Sequence, residues 1–325
     1  MVTELVASQL SPPSADMVKV SNLTKIYKGN IKAVDGVSFS ISEGEVFGLL
    51  GPNGAGKTTT LHMLATILKP TGGEAKVNGF DVVKQPGKVR ESIGIVFQDP
   101  SSDELLTGYE NLKMHALMYG VPSSIRRQRI DEVLQLVDLT DRRNDLLKHY
   151  SGGMRRRLEI ARGLLHRPKV LFLDEPTLGL DPQTREHIWE YIERLVKEER
   201  LSIIITTHYM DEADRLCDRI AIIDHGVVVV NDTPGELKRR LGGDIIKIRM
   251  KTPNLPMLES FPYVKEIEAR GEEITLTVEE AGSHIQEILG AIGKVDSVDL
   301  RPPTLSDVFL KYTGRQYQEQ GGGGN

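Results

Sequence analysis

Hydrophobic positions fall into two rhythms along the chain, and the switches between them divide it. Residues 17–41 alternate β-like runs, "MVKVSNLTKIY" and "AVDGVSFSIS", with turn residues, as antiparallel strands do. "GEVFGLLG" (44–51) is almost continuously apolar, which suits a central strand buried on both faces. A glycine-rich turn follows, and "KTTTLHMLATIL" predicts a helix over 57–68. "GEAKVNGFDV" (73–82) reads as a hairpin and "IGIVFQD" (93–99) as another short strand. From about 100 to 168 the texture is helical, with Ile130, Val133, Leu134 and Val137 recurring on one helix face.

"KVLFLDEP" (169–176) returns to a buried strand. A helix then starts at "DPQTREHIWEYIERLV", with Asp181 suited to the N-cap and Pro182 to the first helical position. Its stripe is Ile188, Tyr191, Ile192 and Leu195, with Trp189 as a further packing residue. Strand "LSIIITTH" (201–208), a short helix and strand "RIAIIDHG" (219–226) complete an alternation that calls for a parallel sheet with crossovers. Past Gly242-Gly243, residues 244–301 read β-α-β-β-α-β, the order of a small ferredoxin-like module. The expected organisation is a flexible leader (1–16), a main domain (17–240), a small α+β module (244–314) and a disordered tail (315–325).

Composition narrows the setting. No apolar run approaches the ~18–20 residues that span a bilayer, and "MVTELVASQLSPPSAD" lacks the basic start and apolar stretch of a signal peptide. A membrane role would therefore come through a partner. The net charge of −5 argues against a broad nucleic-acid-binding face, and Arg155-Arg156-Arg157 reads as a solvated helix face. The single cysteine, Cys217, excludes an internal disulfide and reads as a small core residue.

The chemistry begins at "GPNGAGKT", Gly51 to Thr58, two glycines four residues apart followed by Lys and Thr. Glycine lets successive N–H groups turn inward into an anion nest, and the following helix adds its positive end. Lys57 can reach β- and γ-phosphates, and Thr58 can ligate Mg²⁺. A metal carboxylate is needed on a neighbouring strand, and Asp174 at the end of "VLFLD" supplies it. Glu175, next to it, is a candidate to orient or deprotonate an attacking water. Gln98 and His208 end two other strands, where an amide could touch Mg²⁺ and water and an imidazole the γ-phosphate. "YSGGM" (150–154) opens a second helix, with Ser151 as its cap and free N–H groups toward an anion.

Taken in order, Tyr27, "GPNGAGKTT", Gln98, "YSGGM", "VLFLDEP", "GLD" (179–181) and His208 resemble the ATP-binding-cassette ATPases, the nucleotide-binding subunits of ABC transporters. The match covers roughly residues 17–240. It implies a P-loop NTPase cassette with a mixed central sheet, an antiparallel β subdomain and a helical subdomain. It implies ATP and Mg²⁺ as cofactors, with Gly51, Pro52, Asn53, Gly54, Ala55, Gly56, Lys57, Thr58 and Thr59 around the phosphates and Tyr27 on adenine. Thr58, Gln98 and Asp174 would serve the metal, and Glu175, His208 and Gln98 catalysis. Ser151, Gly152 and Gly153 would bind the γ-phosphate of nucleotide held by a second copy, in an ATP-dependent head-to-tail dimer, with Asp181 linking the two sites.

The tail "PPTLSDVFLKYTG" (302–314) resembles the daunorubicin-resistance branch of drug exporters, which implies an ABC-2-type membrane permease as partner and a cytoplasmic position on the inner face of the membrane. An importer, or a soluble cassette ATPase acting on nucleic acid or the ribosome, is the alternative. Only 117 residues separate Lys57 from Asp174, too few for the long coiled coil of chromosome-maintenance ATPases, and a single cassette differs from the tandem pair of translation-factor ATPases. The chain departs from the family's common loop in having Tyr150 and Met154 around the serine and glycines.

Overall fold

A computed structural model describes residues 16–251 and 255–314, and those residues divide into two compact units meeting in sequence at Asn231 and Asp232. The expected leader, apart from Asp16, and the expected tail lie outside the described residues.

The first unit contains β1 (Val18–Tyr27), β2 (Ile31–Ile41), β3 (Val46–Leu50), α1 (Lys57–Leu64), β4 (Gly72–Val77), β5 (Phe80–Asp81), α2 (Pro86–Ser92) and β6 (Ile93–Val96). It continues with α3 (Gly108–Met118), α4 (Ser123–Leu136), α5 (Gly152–Leu164), β7 (Val170–Asp174), α6 (Pro182–Glu199), β8 (Ser202–Thr207), α7 (Met210–Leu216), β9 (Arg219–Asp224) and β10 (Val227–Asp232). Two sheets result: an antiparallel one ordered β2-β1-β4-β5 and a six-stranded one ordered β10-β9-β3-β8-β7-β6. Within the second, β6, β7, β8, β3 and β9 pair in parallel, as the strand–helix alternation requires.

Every residue of β3, β7 and β8 is buried, which explains why those runs are apolar without alternation. Between the sheets lies a core that includes Val20, Leu23, Ile41, Phe47, Leu61 and Phe172. Phe39 stacks on Phe47 at a centroid distance of 4.9 Å, joining one sheet to the other. Cys217 is buried as expected, and a Cβ at Gly48 would stand 2.8 Å from its Sγ.

Local geometry trims several elements. α1 stops at Leu64 rather than 68, because Thr66 turns left-handed (φ 64) and the Ile67 and Leu68 amides fold back onto the His62 carbonyl. β6 ends at Val96, so Gln98 sits in the bend beyond it. Two elements escaped the hydrophobic pattern: α2 is only seven residues long, and β10 follows the turn His225-Gly226.

The second unit contains α8 (Pro234–Arg239), β11 (Asp244–Arg249), α9 (Leu255–Glu259), β12 (Val264–Arg270), β13 (Glu273–Val278), α10 (Ala281–Ile292), β14 (Ser297–Arg301) and α11 (Leu305–Thr313). Its sheet is ordered β12-β13-β11-β14 with every pair antiparallel, keeping the β-α-β-β-α-β succession. Ile246, Ile248, Leu258, Ile274, Leu276 and Ile288 form its core. A capping box between Thr304 and Asp307 starts α11, and Arg301 grips Asp307 with two bonds of 2.7 and 2.8 Å. Leu305, Val308 and Phe309 are buried on its inner face, and α11 packs on α8.

Candidate active site

The phosphate-loop segment leaves β3 at Gly51 and enters α1 at Lys57, at the carboxyl end of the parallel sheet. Glycine is required twice. A Cβ on Gly51 would lie 2.3 Å from the Ile223 carbonyl oxygen, and Gly56 (φ 106) would drive one to 2.4 Å from that of Ala33. Gly54 is also left-handed, and Ala55 closes the turn by donating to the Pro52 carbonyl at 3.1 Å. Asn53 and Gly54 are exposed, Ala55 is buried, and Pro52, Gly56, Thr58 and Thr59 are half-buried.

Lys57 is buried at the centre of this loop and donates to the Gly51 carbonyl at 2.7 Å. Its ammonium lies 3.4 Å from Glu175 Oε1. Burial lowers the pKa of Lys57, and the charges of Glu175 and Asp174 offset part of that.

β7 delivers Asp174 to the same place. Its Oδ1 accepts from Thr58 Oγ1 at 3.0 Å and from the Thr206 hydroxyl, and His62 Nε2 lies 3.8 Å from Oδ2. Among the described residues no group of three His, Cys, Asp or Glu side chains could hold a metal. A hydroxyl and a carboxylate side by side are instead the donor set that suits Mg²⁺, which takes one or two protein oxygens and completes its shell with phosphates and water.

Glu175 stands past the strand in a left-handed conformation (φ 45) that a non-glycine residue adopts only when held. Its N–H is held by Thr206, through the carbonyl at 3.1 Å and the hydroxyl at 3.0 Å. That turn aims the carboxylate between the Lys57 ammonium and the His208 ring, whose Nδ1 lies 3.3 Å from Oε2. Burial alone would push the Glu175 carboxyl up; the adjoining His208 ring and the Lys57 charge outweigh it, so the net shift is downward.

The remaining predicted residues distribute as follows. His208 follows β8 directly and belongs to the cluster. Gln98 is exposed in the bend just past β6, whose last pair with β7 is Val96↔Leu173, so it lies beyond the sheet's carboxyl end. Tyr27 ends β1, 40% exposed, with the Lys25 ammonium 5.4 Å from its ring centroid.

Ser151 caps α5, accepting from the Met154 N–H at 3.3 Å, and Asp181 caps α6, accepting from the Thr184 N–H at 3.0 Å. The first turns of the two helices pack closely, because a Cβ on Gly153 would come within 2.5 Å of Thr184 Cγ2. Ser151, Gly152 and Asp181 are exposed, and among the described residues no hydrogen bond joins Ser151–Gly153 to residues 51–59. The chain thus carries two anion-ready turns that share no hydrogen bond among the described residues. Tyr150 is buried, its hydroxyl donating to the Arg142 carbonyl at 2.8 Å.

One reading is overturned. Arg156 is not on a solvated helix face but buried, donating to four carbonyls: Phe97 and Pro176 at 2.6 Å, Asp174 at 3.0 Å and Glu175 at 3.1 Å. Burial lowers its pKa to about 10 without discharging it. The side chain staples the ends of β6 and β7, hence Gln98 and both carboxylates, to the helix that Ser151 caps. A second buried pair reinforces the tie: Glu159 and Arg162, 2.6 Å apart, hold Ser101 and Ser102 beyond Gln98, with the Ser102 N–H donating to Glu159 at 3.0 Å. Arg156→Lys keeps the charge but not the fork. It is expected to lower ATP turnover about 10–100-fold through displaced reacting groups, read in steady-state kinetics beside a thermal melt.

The family described as ABC transporter matches residues 34–178, and the C-terminal domain of DrrA1-3-like ATP-binding proteins matches residues 233–313. The daunorubicin/doxorubicin resistance ATP-binding protein DrrA of Streptomyces peucetius is 48% identical over 233 residues, 72% of this chain and 70% of that protein. The linearmycin resistance ATP-binding protein LnrL of Bacillus subtilis (strain 168) is 37% identical over 315 residues, covering 93% of this chain and 100% of that protein. Among solved structures, the dimeric post-hydrolysis state of the ATP-binding cassette MJ0796 bound to ADP and Pi has 31% identity and a TM-score of 0.61, covering 67% of this chain and 98% of that one. With its phosphate loop, its paired carboxylates and its capped second loop, the chain belongs to the ABC transporter family, as an ATP-hydrolysing ATP-binding subunit with a DrrA-type C-terminal domain.

Proposed function

We propose that two copies of the chain close head to tail on two ATP molecules and drive a separate integral-membrane permease of the ABC-2 type, exporting a drug-like or hydrophobic substrate. The observation that carries this reading is the capped Ser151–Gly153 turn, whose Ser151 and Gly152 are exposed and which shares no hydrogen bond with residues 51–59 among the described residues, so that a second copy could cover it. The names of the drug- and antibiotic-resistance relatives support export. No helix among the described residues is long and apolar enough to cross a membrane, so attachment to the inner face would rest on the permease. Nucleic acid has no part in this reading.

In it, Gly51–Thr59 cradle the phosphates of one ATP, Lys57 neutralises their β- and γ-oxygens, and Tyr27 stacks on adenine. Thr58, Asp174 and Gln98 would hold Mg²⁺, which when bound supplies positive charge to the β- and γ-phosphate oxygens. Glu175 takes a proton from a water aligned with the γ-phosphorus while His208 steadies the γ-oxygens. The water's oxygen bonds to phosphorus, the bond to the β-bridging oxygen breaks, and ADP leaves. Ser151–Gly153 of the second copy close over the γ-phosphate, and Asp181 passes the state of one site to the other. ATP favours the closed pair and hydrolysis releases it.

The test is transport in inside-out vesicles holding the chain and its permease, with a fluorescent anthracycline as substrate. ATP-dependent accumulation, abolished by chelating Mg²⁺, is the expected result. ATP-dependent depletion of preloaded vesicles would identify an importer instead, and an unresponsive complex would overturn the drug-like substrate.

A further inference from the structure

α7 begins directly after His208 and Tyr209, and its third residue, Glu212, is fully buried. Its Oε1 accepts from Thr177 Oγ1 at 2.7 Å and from Trp189 Nε1 at 3.0 Å. Its Oε2 lies buried with no hydrogen-bond partner. The pattern expected Trp189 to pack only; it is a donor to this carboxyl as well. A half-satisfied buried carboxyl is an expensive way to fill space, and an apolar side chain of similar size would serve packing alone better.

Its position gives it a different use. Thr177 lies inside the turn that runs from Glu175 to Asp181, where the Leu178 N–H donates to the Glu175 carbonyl at 3.2 Å and the Leu180 N–H to the Thr177 carbonyl at 3.2 Å. Thr177 is fully buried, so its hydroxyl has no water to turn to. Glu212 therefore ties three pieces at one oxygen atom: the turn carrying Glu175 and Asp181, α6 through Trp189, and α7, whose start follows His208.

We infer that Glu212 is a positioning residue for hydrolysis: it sets the spacing of Glu175 against His208 and holds the turn to Asp181 in register with both. It touches neither nucleotide nor water, and its acceptor oxygen, not its charge, is what the tie requires. This rests on the proposed roles of Glu175 and His208.

The experiment compares Glu212→Gln, Glu212→Met, Thr177→Val and the double variant Glu212→Met/Thr177→Val in the full chain, with steady-state ATP kinetics and a thermal melt for each. Gln keeps the acceptor, and its kcat is expected within about twofold of the parent. Met and Thr177→Val remove the bond from opposite ends, and each is expected to lower kcat about tenfold at unchanged KM for ATP, since the phosphate loop is untouched. The double variant should be no slower than Glu212→Met. Parental kcat in Thr177→Val, losses that multiply in the double variant, or a Glu212→Gln as slow as Glu212→Met would each overturn the inference. Should Glu212→Met not fold, Thr177→Val carries the decision alone. A Glu175→Gln control that remains active would strike the reading of Glu175 itself; a dead control beside an active Thr177→Val strikes Glu212 only.

Discussion

Glu175→Gln should abolish ATP turnover while leaving an ATP-bound dimer that does not come apart. The amide has the volume of the carboxylate and can still meet Lys57 and His208, the two groups within 3.4 and 3.3 Å of it, so binding and closure are preserved. What it loses is the ability to take a proton, a contribution of about 10²–10⁴-fold for a positioned base. The readouts are phosphate release and size-exclusion chromatography in ATP, where the variant should elute as a dimer that outlasts the parent's. Undiminished hydrolysis would remove Glu175 from the catalytic role.

The second large effect is a restoration. Lys57→Ala removes the cation that sits against Glu175 and the Gly51 carbonyl, and Ser151→Arg places a bulky cation where α5 is capped. Each variant alone is expected at background. In an equal mixture, half the dimers pair one of each, and each such pair has one site with both an intact phosphate loop and an intact Ser151. Activity should return to roughly a quarter of the parental level for a two-fold-symmetric pair. A mixture as inactive as its components would mean that each copy hydrolyses ATP with its own residues alone.

Much of this site could be read from residue order because its parts are local. The phosphate-loop glycines fall in one short segment between a strand and a helix, although the carbonyls that exclude a Cβ at 51 and 56 belong to the distant Ile223 and Ala33, and the caps at Ser151 and Asp181 are one-turn chemistry. Asp174 and Glu175 end an apolar run that nothing but a buried strand explains. Arg156, Glu159, Arg162 and Glu212 were illegible for the opposite reason. Charged residues on a helix are solvated by default, and only the tertiary arrangement reveals four converging carbonyls or a buried threonine hydroxyl. A basic triplet in sequence therefore hid one residue that the interior swallows. β10 did leave a signal, the four valines after His225-Gly226, which a hairpin rule would have caught.

The clamp on Glu175 has a consequence for the chain at rest. A carboxylate held against the Lys57 ammonium and beside the His208 ring is a more reluctant proton acceptor than a free one, and its pKa is shifted down accordingly. A γ-phosphate drawing the Lys57 ammonium toward itself would free one side of that carboxylate when fuel arrives. In the proposed mechanism, the same contact that looks like simple charge pairing would thus be loosened by the nucleotide that Glu175 serves.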